Sequence, residues 1–177
     1  GVIDTTGRIV CQPKYYEVEG YMGGLSRVTM KAEPWELTYG FIDDQGKEVL
    51  APIYDDADDM FYRSMRFANV LVVGKEGRYG LFDYSGKELT PLKYNSISDM
   101  RSGRFLVHKD GLLGYLDGNG KEVIATVYDK ANAFAGPMAL VSKNGKFGWI
   151  DTLGTPIIPL KFDFAAEFTG SWARVKI

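Results

Sequence analysis

Residues 139–154 contain the stretch that decides the fold: Ala139-Leu-Val-Ser-Lys143, then Asn144-Gly145, then Lys146-Phe-Gly-Trp-Ile150, and then Asp151-Thr-Leu-Gly154. Two short β-rich runs separated by Asn-Gly predict a hairpin with a type I′ turn, because both central residues of that turn take φ > 0. An aspartate that opens a turn accepts hydrogen bonds from turn N–H groups, and glycine supplies a left-handed residue. The stretch therefore predicts two antiparallel strands, an Asp-x-x-Gly turn and a third strand.

The same Gly-x-x-Asp-x-x-Gly motif occurs five times, with an aromatic residue fourteen positions after its first glycine. The first glycines are Gly1, Gly40, Gly80, Gly114 and Gly148; the aspartates are Asp4, Asp43, Asp83, Asp117 and Asp151; the last glycines are Gly7, Gly46, Gly86, Gly120 and Gly154; and the aromatic residues are Tyr15, Tyr54, Tyr94, Tyr128 and Phe162. Recurrence at fixed offsets predicts a tandem array that covers the chain. We interpret residues 1–177 as a single repeat domain with repeats at approximately 1–39, 40–79, 80–113, 114–147 and 148–177.

Each repeat is predicted to form a three-stranded antiparallel meander. The connection that follows, such as residues 128–134, has apolar residues spaced as in one or two turns of irregular helix. One meander cannot bury enough apolar surface alone, so stacking should bury Tyr54, Tyr94 and Tyr128 between units, with Phe134 and Phe168 closing the layer. The predicted fold is all-β, with five repeats in an open twisted array. A closed propeller-like toroid, in which residues 173–177 pair with residues 1–4, is the alternative.

These residues resemble the WG-repeat family (the KWG repeat), which consists of bacterial arrays of β-rich units of roughly 35 residues. The last repeat carries most of the resemblance, through Phe147-Gly148-Trp149-Ile150-Asp151, Pro159-Leu-Lys-Phe162-Asp163, Phe168, Gly170, Ala173 and Val175. The tryptophan that gives the family its name is replaced by Tyr39, Tyr79, Leu113 and Phe147. The resemblance implies an interaction module without catalytic residues. It also implies a bacterial source, with an exported or cell-envelope location as the expectation.

Composition narrows the possible functions. A net charge of −2 and a pI near 5.5 argue against a strongly basic nucleic-acid-binding surface. We expect no membrane-spanning helix, because no apolar run approaches the roughly 20 residues that one requires. The single cysteine excludes an internal disulfide. We expect no cofactor, since neither a phosphate-binding loop nor a dinucleotide fingerprint is present.

The residues that could take part in catalysis or bind a metal ion are each explained more simply by a structural role. We expect the five motif aspartates to cap turns. The acidic run Asp55-Asp56-Ala-Asp58-Asp59 is the best metal candidate, but it lacks the EF-hand pattern, so a solvated loop beside a short helical turn is favoured. Cys11 and His108 are solitary and are expected to be packed or surface residues. These residues predict no catalytic site and no metal site.

Two insertions interrupt the repeat period, around residues 31–37 and 61–67, and insertions in repeat arrays map to loops that often lie on the binding face. Their aromatic and arginine side chains are typical interface anchors. The candidate binding residues are Trp35, Tyr62, Arg63, Arg66 and Phe67. Trp172 is expected to pack near Phe168.

The leading hypothesis is a non-enzymatic scaffold that binds a protein partner. The alternatives are a carbohydrate or cell-envelope binding module, and an enzyme with an unrecognised site.

Overall fold

The computed structural model describes residues 1–21, 23–33, 36–59 and 69–177. These residues form twenty β-strands in six antiparallel sheets. The first sheet has two strands, β1 (Val2–Ile3) and β2 (Ile9–Cys11). Four four-stranded sheets follow: β3 (Glu17–Val18), β4 (Leu25–Glu33), β5 (Glu36–Asp43), β6 (Glu48–Tyr54); β7 (Asp56–Asp59), β8 (Val70–Lys75), β9 (Arg78–Asp83), β10 (Glu88–Tyr94); β11 (Ser96–Arg101), β12 (Arg104–Lys109), β13 (Leu112–Leu116), β14 (Glu122–Tyr128); and β15 (Lys130–Ala131), β16 (Met138–Lys143), β17 (Lys146–Asp151), β18 (Pro156–Phe162). The last sheet has two strands, β19 (Phe164–Ala165) and β20 (Val175–Lys176).

The predicted all-β repeat fold is confirmed, but each complete sheet has four strands and not three. The additional strand comes from the connection after the recurring aromatic residue of the repeat, where the sequence predicted a helical turn. Lys130 pairs with Ser142 and Ala131 with Val141, so residues 130–131 form the first strand of the next sheet. The helical prediction was wrong because these backbone groups complete the free edge of β16, which would otherwise lack hydrogen-bond partners.

The chain divides into two compact units, residues 1–92 and 93–177. Within each sheet, strands next in sequence pair as neighbours in a simple meander. The terminal strands also pair with their neighbours in sequence, β1 with β2 and β20 with β19. This strand pairing is that of an open array and does not fit the closed toroid.

The two-residue hairpin turns are of the predicted type. Asn144 and Gly145 have φ values of 52° and 74°, and Asp110 and Gly111 have φ values of 50° and 90°. Two positive φ angles in succession match the right-handed twist of the flanking strands. The Asn-Gly and Asp-Gly pairs thus determine the β16–β17 and β12–β13 hairpins locally.

The motif aspartates cap the turns that follow them, as predicted. In the last motif, the Asp151 carboxylate accepts hydrogen bonds from the backbone N–H of Leu153 at 2.9 Å and of Thr155 at 2.8 Å. The Gly154 N–H donates to the Asp151 carbonyl, and Gly154 has a φ of 88°. The same pair of bonds recurs at Asp4, Asp43, Asp83 and Asp117. These aspartates are structural.

Turn capping predicts how stability depends on pH. Hydrogen bonds from the Thr6 side chain, the Ser85 side chain and the Thr155 backbone hold the pKa values of Asp4, Asp83 and Asp151, respectively, below their ordinary value near 3.8. Because a lowered folded-state pKa means that the unfolded chain binds protons more readily, this contribution to stability is intact at neutral pH. It is lost as the pH falls below the ordinary value near 3.8 and through the lower folded-state values.

Urea unfolding at a series of pH values measures this effect. The triple variant Asp4→Asn, Asp83→Asn, Asp151→Asn keeps a turn-capping oxygen at each position but cannot titrate. We expect its stability to fall less steeply with acidification than that of the wild-type chain. Parallel pH profiles for the two proteins would contradict this explanation.

In the second unit, neighbouring sheets stack so that both faces of sheet β15–β18 are buried. In the last motif, Ile150 lies in the cluster that Tyr115 and Tyr128 form with residues of β16. Its neighbour Trp149 lies on the opposite face, with Leu140 and Ala165. Side chains of consecutive strand residues point to opposite faces, so a buried pair after the glycine is what two-sided packing requires.

The predicted interlayer aromatic residues are largely in place. Tyr94, Tyr128 and Phe134 are buried and Tyr54 is half-buried. Phe168 does not close its layer, because it remains partly exposed although its ring lies 5.1 Å from that of Trp149.

Candidate interaction surfaces

The candidate binding residues Trp35, Tyr62, Arg63, Arg66 and Phe67 lie outside the described residues, so their assignment stays a prediction. The structure does describe the chain on both sides of Trp35. It also places several exposed aromatic and aliphatic side chains that the repeat pattern did not single out.

The first insertion extends a hairpin. In the other complete sheets the central hairpin closes after pairs such as Lys143↔Lys146. In β4–β5 the equivalent pair is Met30↔Thr38, and the ladder continues through Lys31↔Leu37 to Glu33↔Glu36. The described part of the insertion is therefore a strand extension and not the loop that the sequence predicted. It projects beyond the level at which the other hairpins turn.

An exposed aromatic residue stands beside this projection. The Tyr16 backbone N–H donates to the Thr29 carbonyl, which places Tyr16 alongside β4. Its side chain is 64% exposed. The Lys31 ammonium lies 5.3 Å from the centre of its ring, within range of a cation–π contact. Together with the exposed Leu37, these residues form a surface that we call the hairpin patch (Tyr16, Lys31 and Leu37).

Two polar clusters in the same unit have structural roles. The Lys14 ammonium and the Tyr15 hydroxyl both donate to the Glu48 carboxylate, at 2.7 Å and 2.8 Å, and these bonds lower the pKa of Glu48. Arg27 donates to Glu19 and, at 2.9 Å, to the Ala57 carbonyl of β7. The Arg27 contact joins sheet β3–β6 to sheet β7–β10. Neither cluster was evident from the motif, because its members come from segments that are well separated along the chain.

The acidic run is a strand and not a loop. Residues 56–59 form β7, which pairs with β8 from Asp56↔Gly74 to Asp59↔Leu71. The Asp55 carboxylate accepts a hydrogen bond from the Glu76 N–H at 2.7 Å, and that of Asp56 accepts one from the Tyr79 hydroxyl at 3.0 Å. The prediction of a loop beside a helical turn was wrong, because residues 56–59 form hydrogen bonds with the edge of β8 and so become a strand.

Cys11 and His108 lie in different units. The Cys11 side chain is buried with Val28 and Ile42 and donates a weak hydrogen bond to the Gln12 carbonyl at 3.4 Å. His108 is a half-buried residue of β12 that pairs with Leu113. Cys11 is thus a core residue of the first unit.

The two-stranded sheet β19–β20, which we call the C-terminal half-sheet, is rich in exposed apolar side chains. They are Phe164, Phe168, Trp172, Val175 and Ile177. The packing predicted for Trp172 was wrong: its indole is mostly exposed, although its backbone bridges Thr169. The neighbouring residue Ala173 packs against the cluster that contains Trp149 and Ala165, and Trp172 is not part of that cluster.

A family model for the WG-containing repeat matches the chain five times, at residues 1–31, 39–65, 79–112, 114–147 and 147–177. These matches cover most of the chain, which therefore belongs to the WG repeat family. Comparison with curated proteins gives no match. In the described part of the chain, no helix has the length and apolar character that a membrane crossing requires.

Proposed function

We propose that this chain is a non-enzymatic β-repeat scaffold that binds a protein partner through the projecting β4–β5 hairpin. The observation that carries the proposal is the hairpin patch. It presents a lysine ammonium and a leucine side chain on the antiparallel β4–β5 ladder and a tyrosine ring beside that ladder. Mixed aromatic, cationic and aliphatic surfaces of this kind are typical of protein interfaces.

The ladder also supports the proposal energetically. Binding costs free energy when flexible side chains and loops become ordered. The backbone of paired strands is already ordered before a partner binds, so binding to it costs less conformational entropy. The ammonium of Lys31 against the Tyr16 ring restrains both side chains. The candidate residue Trp35 belongs to the same insertion.

A carbohydrate or cell-envelope ligand is the alternative. Sugars stack on flat aromatic faces, and Tyr16 and Tyr21 are both exposed tyrosines of the first unit. However, the Lys31 ammonium stands over one face of the Tyr16 ring. This arrangement favours a protein partner over a stacked sugar.

Affinity capture with three variants tests the proposal. The hairpin variant carries Tyr16→Ala, Lys31→Ala and Leu37→Ala, and the insertion variant carries Trp35→Ala, Tyr62→Ala and Arg63→Ala. The control variant carries Lys109→Ala and Leu112→Ala in the ordinary β12–β13 hairpin, where Leu112 is as exposed as Leu37. Loss of interface anchors should weaken binding of a captured partner about tenfold or more in the first two variants, with little change in melting temperature.

The control variant should bind the partner like the wild-type chain. Equal binding by all four proteins would contradict the hairpin site. Specific binding on a glycan array, lost in the hairpin variant, would instead support the carbohydrate alternative.

A further inference from the structure

The chain contains two Asn-Gly pairs, Asn119-Gly120 and Asn144-Gly145, and each is followed by a lysine. In such a pair the main-chain nitrogen of the glycine can attack the side-chain carbonyl carbon of the asparagine, because glycine has no side chain to obstruct the approach. Asn119-Gly120 lies in the Asp-x-x-Gly turn that Asp117 opens, and Asn144-Gly145 forms the turn of the β16–β17 hairpin. The two pairs therefore match in local sequence and differ in structure.

The glycine nitrogen of the first pair is buried and firmly held. Gly120 is buried, and its N–H donates to the Asp117 carbonyl at 3.0 Å. The Asp117 carboxylate accepts hydrogen bonds from the N–H groups on both sides, that of Asn119 at 2.9 Å and that of Lys121 at 3.0 Å. Attack by the Gly120 nitrogen therefore requires a capped turn to open first.

The glycine nitrogen of the second pair is exposed and weakly held. Asn144 and Gly145 are both exposed. The Gly145 N–H donates to the Asp129 carboxylate over 3.4 Å, which is longer than an ordinary N–H···O hydrogen bond. The β16–β17 ladder closes with Lys143↔Lys146, so the turn lies beyond the last strand pair. The Gly145 nitrogen is therefore freed with less loss of structure than the Gly120 nitrogen.

We propose that Asn144 is a site of spontaneous covalent modification, at which this chain converts its own Asn-Gly turn through a succinimide. The Gly145 nitrogen forms a bond to the side-chain carbonyl carbon of Asn144, and the bond from that carbon to Nδ2 breaks. The Nδ2 group leaves as ammonia and takes with it the proton of the Gly145 N–H. Water then opens the five-membered ring at one of its two carbonyl carbons. Opening at the side-chain carbon gives aspartate, and opening at the main-chain carbon gives isoaspartate.

The two products differ in their effect on the turn. Aspartate at position 144 is compatible with the hairpin, because Asp110-Gly111 forms a turn with the same pair of positive φ angles. Isoaspartate carries the main chain through the side-chain carbon, which lengthens the backbone of the turn by one atom. A two-residue turn between Lys143 and Lys146 fixes the backbone path, so this lengthening opposes the strand pairing.

The β16–β17 hairpin contributes to the core on both faces of sheet β15–β18. Val141 and Ile150 lie in one buried cluster, and Leu140 and Trp149 lie in the other. Formation of isoaspartate should therefore lower the stability of the second unit. The modified turn is not part of the hairpin patch, so failure of this proposal would leave the proposed function untouched.

Peptide mapping by mass spectrometry tests the proposal, using the 177-residue chain incubated in its folded state in mildly alkaline buffer. Chymotrypsin separates the two Asn-Gly pairs into different peptides, because it cleaves after the leucine and aromatic residues between them. We expect conversion at Asn144 to be at least about fivefold faster than at Asn119, which is the effect of one additional hydrogen bond. A ratio of rates near one, or faster conversion at Asn119, would overturn the proposal.

The same incubation in concentrated urea is the control for local sequence. Unfolding exposes both glycine nitrogens to solvent, so the two rates should become similar. A preference for Asn144 that persists unchanged in urea would overturn the structural explanation, because it would then arise from the sequence alone.

The variant Asn144→Gly is the matched control for the effect on stability. A Gly-Gly pair also favours the type I′ turn, and it has no side-chain amide that can cyclise. The wild-type chain should become less resistant to urea as isoaspartate accumulates, whereas the variant should keep its initial stability over the same incubation. An equal decline in both proteins would contradict the proposed effect on the hairpin, as would constant stability of a wild-type chain that has formed isoaspartate.

Discussion

Replacing Trp149 with alanine is expected to lower the free energy of unfolding by about 3–5 kcal/mol. The indole is 1% exposed and lies between Leu140, Ala165 and the rings of Phe162 and Phe168. Its removal leaves a cavity at the layer that joins sheet β15–β18 to the C-terminal half-sheet. Chemical denaturation followed by circular dichroism measures the loss.

Trp149→Phe provides the control for this prediction. Within the described residues, the Trp149 indole N–H is the one buried side-chain polar group that has no hydrogen-bond partner. Phenylalanine keeps an aromatic ring there and removes the unpaired donor, which offsets part of the lost packing. We expect a clearly smaller loss than for alanine. Equal losses in the two variants, or a loss under about 1 kcal/mol for alanine, would contradict the packing explanation.

Replacing Gly114 with alanine is expected to destabilise the second unit by roughly 1–3 kcal/mol or more, although it adds one methyl group. A Cβ at this position would lie 2.6 Å from the Ile124 carbonyl oxygen and 2.7 Å from the Thr126 nitrogen. Both are backbone atoms of β14, which cannot move away without breaking its pairing with β13. The first glycine of the motif is therefore required by close approach of two backbones.

Gly118→Ala is the matched control in the same repeat. There a Cβ would meet only the flexible end of the Met100 side chain, at 3.2 Å. Its stability should change by less than about 1 kcal/mol. Thermal and urea unfolding of both variants would decide the matter; similar effects of the two substitutions would refute the close-approach argument.

Much of the local structure could be predicted from the sequence, because it depends on residues adjacent along the chain. A type I′ turn needs two residues with φ > 0, and Asn144-Gly145 supplies them. A motif aspartate such as Asp151 needs only the N–H groups two and four residues later. The repeat period followed from these signals, as did the hairpins and the all-β class.

The first strand of each sheet could not be predicted in the same way. Residues 130–131 are too short to show a strand periodicity, and their apolar neighbours suggested a helical turn. They become a strand because the edge of β16, which comes later in the chain, places Ser142 opposite Lys130 and Val141 opposite Ala131. The first insertion was misread as a loop for the same reason, since the pairing of Lys31 with Leu37 continues an existing ladder.

The sequence by itself determined the repeat, its turns and the residues that a complete layer would bury. Only the tertiary structure decided which of those residues are covered. Tyr54 and Tyr94 occupy the same motif position, yet Tyr54 is half-buried and Tyr94 is fully buried. Burial depends on which sheet stacks against a residue and which strand pairs beside it, and neither neighbour is specified by the motif in which that residue lies.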